Sequence, residues 1–346
     1  MPVLFNHNFT PDELRRQTGS LDQLAGVRLV DLADGKARGM RAADVWTGSG
    51  LRFTLWLDRG MDVGPAEFAG RPLAWLHPAL GTAGQFEPHG LGWTRTFGGG
   101  LMTTCGLTFF GHPEQDGDEA LGLHGRISHL PAQNVRVAAG WQGDDYLITV
   151  EGQVRQSVVF GENLLLTRRV TTCLGATSFL VEDRVRNDGF RRTPHMLLYH
   201  CNFGFPVVSP DSELRVLPVD ETVRPRDPDA ARGLAAHTGF EAPDPGYAEQ
   251  VFFHHPRPDE SGRVTASIFN RRLSFGGFVR YRAAELPVLA QWKMMGAGDY
   301  VCALEPATNH EAARARLREQ GALRHLEPGE EVNYSLEFGV MTEPAA

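Results

Sequence analysis

Alternation of apolar and polar positions with a period of two dominates this chain. Near its C-terminus Val332, Tyr334, Leu336, Phe338 and Val340 fall on one side of an extended segment, and Asn333, Ser335 and Glu337 on the other. That pattern predicts a strand buried on one face. Val264, Ala266 and Ile268 alternate with Arg263, Thr265 and Ser267 in the same way. Phe179, Val181, Asp183 and Val185 alternate with Ser178, Leu180, Glu182 and Arg184, so both faces there are mixed. Residues 164–174 precede that segment and Gly175-Ala176-Thr177 supplies a turn, which predicts a hairpin. Shorter strands are predicted over 195–201, 276–282, 288–294 and 300–304.

Helical signals are few. Thr10 can cap a helix that Pro11 starts and Asp12 and Glu13 favour through the dipole, ending near Gly19. A second helix is predicted with Asn309 as cap, Glu311 in its first turn and Gly321 past its end. Residues 206–245 are rich in proline and charge, and strand-like sequence resumes on both sides, so they predict a long excursion rather than a domain linker. No repeat of fixed period is visible. The elements add up to a mainly antiparallel all-β protein, a sandwich of large sheets or a barrel. We expect one domain over residues 1–346, with a short helical segment in about the first 25.

Composition supports that picture and removes several chemistries. The 346 residues include 39 glycines and 22 prolines, more than one residue in six, which favours turns over long helices. The net charge of −8 argues against a general nucleic-acid binder. Lysine occurs only at Lys36 and Lys293, and Gly35-Lys36 is followed by Ala37, so a Walker-type phosphate loop is absent. Cys105, Cys173, Cys201 and Cys302 lie far apart with no CxxC, which fits reduced thiols rather than a zinc ribbon or disulfide scaffold. The first 16 residues lack a basic region followed by an apolar run, so we expect no secretory signal and a cytoplasmic location. The uncharged stretch 97–113 is broken by five glycines and is not a membrane span.

Four segments carry candidate chemistry. Gly92-Trp93-Thr94-Arg95-Thr96-Phe97 places an arginine before the glycine run Gly98-Gly99-Gly100. Leu123-His124-Gly125 places a histidine between a leucine and a glycine, at a strand end. In Tyr199-His200-Cys201-Asn202-Phe203 the strand's alternation sends His200 to the face opposite His195. Glu305 follows an apolar strand and precedes Pro306, where a carboxylate can be poised as a base. There is no HExxH, GxSxG or spaced GxGxxG, and His254-His255 lacks partners at ligand spacing, so no metal or cofactor is expected.

Taken in order, these segments resemble the aldose 1-epimerase (galactose mutarotase) superfamily. The resemblance runs through Thr94-Arg95-Thr96-Phe97, Leu123-His124-Gly125, Tyr199-His200-Cys201-Asn202-Phe203, Gly246-Tyr247-Ala248-Glu249 and Leu304-Glu305-Pro306. It covers roughly Arg52 to the C-terminus. The phrasing of Leu57-Asp58-Arg59-Gly60-Met61-Asp62 and Gly100-Leu101-Met102-Thr103-Thr104 is closer still to a poorly characterised bacterial branch that carries a domain of unknown function. Two departures stand out: Arg126 follows Leu123-His124-Gly125 where the family has a second glycine, and Ala248 stands where mutarotases have an aspartate.

The resemblance implies a β-supersandwich with a groove across one face, and an isomerase that interconverts the α and β anomers of a free aldose without a cofactor. It implies Glu305 as base and His200 as acid, with Arg95, His124, Asn202 and Glu249 binding substrate. Trp93, Phe97, Phe203 and Trp292 are candidate platforms for a sugar face. The expected partner is a small-molecule sugar, with no nucleic acid or membrane, and the expected state is a monomer or homodimer. The alternatives are a non-catalytic sugar-binding or sensing protein on the same scaffold, and an epimerase of a modified sugar or sugar phosphate. Arg191-Arg192 and Arg271-Arg272 are candidate phosphate contacts for the latter.

Overall fold

The computed structural model describes residues 1–218, 222–309 and 313–344. Strands β1 (Gly26–Asp31), β2 (Arg41–Trp46), β3 (Leu51–Trp56), β4 (Asp62–Phe68) and β5 (Arg71–Pro72) form a five-stranded antiparallel meander. The rest of the chain supplies β6 (Thr103–Leu107), β7 (Ala132–Gln142), β8 (Asp145–Ser157), β9 (Asn163–Cys173), β10 (Ser178–Asn187), β11 (Met196–Gly204) and β12 (Ser212–Leu217). After these come β13 (Val223–Pro225), β14 (Gln250–His254), β15 (Arg263–Asn270), β16 (Phe275–Arg282), β17 (Val288–Met295), β18 (Tyr300–Ala307) and β19 (Glu331–Met341). Eight strands form one sheet in the order β7-β8-β9-β10-β19-β16-β15-β12, and six form another in the order β13-β14-β17-β18-β11-β6, with every ladder antiparallel.

The predicted hairpin is β9–β10, and Phe179, Val181 and Val185 of its second strand face inward. Asp183 shares that buried face because Arg168 of β9 meets it with two hydrogen bonds, 2.8 and 2.6 Å. A buried charge is tolerable when paired and hydrogen-bonded, which is why the alternation looked mixed. The same core takes Leu336 and Phe338 from β19, Leu197 and Phe203 from β11, and Leu55 from β3, so the apolar faces of all three sheets meet in it. Phe53, Phe179 and Phe338 stack in sequence across it, with centroids 4.1 and 5.3 Å apart.

Helix α1 (Pro11–Gln17) has the predicted cap, a reciprocal pairing of Thr10 with Glu13. Within the predicted excursion 206–245, β12 closes one edge of the eight-stranded sheet, β13 one edge of the six-stranded sheet, and α2 (Pro228–Gly233) follows. One expectation is corrected. The second predicted helix is shorter, α3 (Arg314–Glu319), with Ala313 at its cap position and no side-chain cap. Asn309 instead accepts a hydrogen bond from Thr308 at 2.8 Å, and Glu311 lies outside the described residues. Arg314 and Arg318 clamp α3 to Asp116 in the hairpin 114–121.

Candidate active site

The six-stranded sheet has an apolar back against the core and a front that carries the chemistry. Register decides which side chains share the front. His200 of β11 lies opposite Thr103 of β6. The β11–β18 ladder pairs Cys201 with Leu304, which brings His200 beside Glu305. Glu305 in turn lies opposite Ala290 of β17, and Ala290 opposite Phe253 of β14. The result is a contact between His200 Nε2 and Glu305 Oε1 of 3.0 Å, with both side chains more than nine-tenths buried. His195 points to the back, where its ring bonds Leu107 O at 3.0 Å and the Tyr334 hydroxyl at 2.6 Å.

Aromatic rings wall the pair. Phe97, Trp292 and Trp93 lie 5.5, 5.3 and 6.4 Å from the His200 ring, centroid to centroid. Burial among them pulls the imidazolium of His200 down, to about 4, while the carbonyl of Asn202 and the carboxylate of Glu249 push it the other way. Phe203, the fourth candidate platform, is corrected: as an odd-numbered residue of β11 it faces the back and packs in the core. Trp75 takes a place the sequence did not suggest, 5.8 Å from Phe97 and 6.3 Å from Trp292.

His124 joins the cluster, its ring perpendicular to that of His200 at 5.7 Å and tilted against Trp93 at 4.9 Å. Its φ of +56° is uncommon for a residue with a Cβ. The turn continues into Gly125, where a Cβ would stand 2.5 Å from the carbonyls of Gly106 and Phe109, so only glycine fits. Burial, with the neighbouring His200 and His112, pushes the His124 pKa well below its ordinary value. Among the described residues its buried Nδ1 has no hydrogen-bond partner.

Glu249 reaches the same front. It accepts from Trp292 Nε1 at 2.9 Å and from Arg226 Nη2 at 2.9 Å. Burial raises its pKa, but the bonds from Arg226 and Trp292 outweigh that and hold it below the usual range. Arg226 is a second residue without a signal in the sequence, because it lies just past β13 in the proline- and charge-rich excursion. Asn202 is fully buried on His200, with Oδ1 2.6 Å from Nδ1.

Arg95 does not join these residues. Its side chain is 72% exposed, at the end of a short 3₁₀ turn, with Nε 3.4 Å from Glu87. Trp93 of that turn points in and Arg95 points out. The paired arginines are also engaged elsewhere. Arg192 faces Glu327, Arg271 faces Glu213 and Arg272 faces Asp211, while Arg191 donates to Phe160 O.

Glu305, His124, Ala290, Phe253 and Asn309 line a cavity of about 20 Å³, room for roughly one water. Beyond Phe110 opens a larger hollow of about 270 Å³, walled by His112, Glu114, Arg226 and Ala313. Among the described residues no cluster of three or more metal-ligating side chains forms. Among the same residues no helix is long and apolar enough to cross a membrane.

A family model described as a domain of unknown function, DUF4432, matches residues 37–340. No curated protein matches the sequence. Among solved structures the chain is similar to a putative aldose 1-epimerase from Klebsiella pneumoniae, with 25% identity and a TM-score of 0.85 over 93% of this chain and 86% of that one. It is similar to a galactose mutarotase-like protein from Clostridium acetobutylicum, with 14% identity and a TM-score of 0.62 over 92% of this chain and 99% of the other. A galactose 1-epimerase from Lactobacillus acidophilus shares 12% identity and a TM-score of 0.58, over 91% and 98% of the two chains. These likenesses, with the stacked antiparallel sheets, make the architecture a galactose mutarotase-like sandwich.

Proposed function

The chain belongs to the DUF4432 family, and from that premise we propose that it is an aldose 1-epimerase-like isomerase, acting on a free aldose or a related sugar. The contact between His200 Nε2 and Glu305 Oε1 on a front walled by tryptophans carries the reading. An acid and a base in direct contact suit this reaction, because the two oxygens that must exchange protons are bonded to the same carbon. Glu305 takes the proton of the anomeric hydroxyl, and His200 gives its proton to the ring oxygen. The bond between the anomeric carbon and the ring oxygen breaks, and a carbonyl forms. Rotation of that carbonyl and closure with the roles reversed gives the other anomer. Each positioned group contributes about 10²–10⁴-fold.

Glu249, held by Arg226 and Trp292, offers its carboxylate to sugar hydroxyls, and His124 offers the ring beside His200. The cavity against Glu305 has room for only a water-sized group, so the sugar sits over it on the front of the sheet. The residues read as one domain acting in the cytoplasm, as a monomer or homodimer. The test is anomer exchange measured by NMR or polarimetry on freshly dissolved aldoses, deoxy sugars and sugar phosphates, after subtraction of the spontaneous rate. Acceleration for at least one sugar supports the enzyme. A sugar that binds but exchanges at the uncatalysed rate across the panel replaces it with the sugar-binding reading.

A further inference from the structure

We infer that Asn202 is a positioning residue that fixes the tautomer of His200, and not a group that touches the sugar. This rests on the acid–base reading above and specifies how its proton is held. Asn202 has no side-chain N–H left to give a ligand. Its Nδ2 donates to Gly100 O at 2.9 Å and to His200 O at 3.0 Å, and its Oδ1 meets His200 Nδ1 at 2.6 Å. Its backbone N–H donates to Leu101 O and its carbonyl accepts from Trp75 N, both at 3.0 Å. The side chain is fully buried.

The amide can sit only one way round. A half-turn would set Oδ1 against two carbonyl oxygens, so Oδ1 faces the ring and accepts. Nδ1 therefore carries a hydrogen. A neutral ring protonated at Nδ1 presents a lone pair at Nε2, and a carboxylate presents another at Glu305 Oε1. At 3.0 Å those two would repel, so one proton lies between them. The pair holds that proton either as imidazolium and carboxylate or as imidazole and carboxylic acid.

The tautomer matters for what His200 can give away. With Nδ1–H held by Asn202, loss of the Nε2 proton from the imidazolium leaves a neutral imidazole. In the other neutral tautomer the only proton is on Nε2, and giving it up would leave an anion. The count also balances over a turnover, since Glu305 gains one proton from the anomeric hydroxyl as His200 loses one to the ring oxygen. Besides Glu305 from β18, the titratable groups facing His200 are His124 from its turn and Glu249 ahead of β14. None of these bonds Nδ1.

Histidine ¹⁵N NMR of the wild-type protein, with a His200→Asn spectrum to assign the ring, reads the tautomer directly. The expected result is Nδ1 protonated throughout the pH range in which the protein is folded. Asn202→Ala is expected to lower kcat about 10–100-fold with KM within about twofold, and to move the alkaline limb of the pH–rate profile to lower pH, because an acceptor that favours the imidazolium is gone. A His200 signal with unprotonated Nδ1 overturns the inference. So does a variant that raises KM and leaves kcat and the pH profile unchanged, which would make Asn202 a sugar contact after all. If the wild type exchanges no anomer, the function above fails, while the spectrum still decides the tautomer.

Discussion

Two histidines five residues apart on one stretch of chain separate structure from chemistry. His195 sits just before β11 and faces the back, and His200 lies within the strand and faces the front. Both are buried, and burial pulls both to a pKa of about 4. Their titration therefore does not tell them apart, but their partners do. His195 is closed by a backbone carbonyl and a tyrosine hydroxyl that itself lies in the core. His200 meets a carboxylate that lines a small cavity. A buried histidine becomes chemical when its partner can exchange a proton with something that arrives from outside.

The back of the sheet should respond most to loss of charge pairing. Arg168 is fully buried and holds Asp62 at 2.7 Å, Asp183 at 2.6 Å and the Thr104 hydroxyl at 2.8 Å, and Tyr199 donates to the same Asp183. Burial already raises the pKa of Asp62. Arg168→Met leaves two carboxylates without their cation, and should cost about 3–5 kcal/mol in urea unfolding. A loss under about 1 kcal/mol would mean that the back tolerates unpaired charge, and the contrast between faces would weaken.

The front should respond in rate and not in stability. Glu305→Gln keeps the shape of the side chain but takes no proton, and His200→Asn gives none. Each is expected to slow anomer exchange by roughly 10²-fold or more. The double variant should be less impaired than the product of the two, since acid and base serve one ring opening. Sugar affinity should change little in Glu305→Gln. If both variants kept the wild-type rate, the pair would be as structural as His195.

Much of this contrast was legible in the sequence, for identifiable reasons. A strand's period of two assigns His195 and His200 to opposite faces without any coordinates. The contact of His200 with Glu305 was not legible that way, because it depends on the register of strands about 100 residues apart. It came from the resemblance, through the order of motifs. The same resemblance misplaced Arg95, because a 3₁₀ turn and not a strand carries it, and the turn rotates Trp93 inward and Arg95 outward. Arg226 was missed for another reason. Leu214 and Val216 alternate with Glu213 and Arg215, but prolines and charges around these short edge strands hid the pattern.

The His195 environment predicts a pH dependence of folding. Its folded pKa of about 4 lies below the ordinary value of 6.5, so between those values the unfolded chain binds a proton that the folded chain does not. Stability from this group is present above about pH 6.5 and is lost as pH falls toward 4, by about 3 kcal/mol over the window. His195→Gln should cost about 1–3 kcal/mol at neutral pH through the two lost hydrogen bonds. It should also flatten the acid side of the stability curve by an amount that urea midpoints at neutral and acid pH can read. The rate per folded molecule should stay within a fewfold of wild type. A large fall in rate with an unchanged acid limb would place His195 in the chemistry.

The smallest effect is expected at Arg95, and it tests the boundary of the front most sharply. The sequence resemblance gives this residue a sugar oxygen to hold, whereas the structure gives it Glu87 at 3.4 Å and a side chain mostly in water. An exposed ion pair of that kind contributes about 0–1 kcal/mol. Arg95→Gln should therefore leave KM and kcat within about twofold and stability nearly unchanged. An arginine bonded to a sugar hydroxyl in the reacting complex would behave otherwise, because a charged hydrogen bond is worth about 1.5–3 kcal/mol, or more than tenfold in kcat/KM. The two expectations differ by an order of magnitude in one steady-state measurement. A tenfold or greater loss would mean that the turn 92–95 swings Arg95 over the groove when sugar arrives, and the front would then extend past the tryptophans that bound it here.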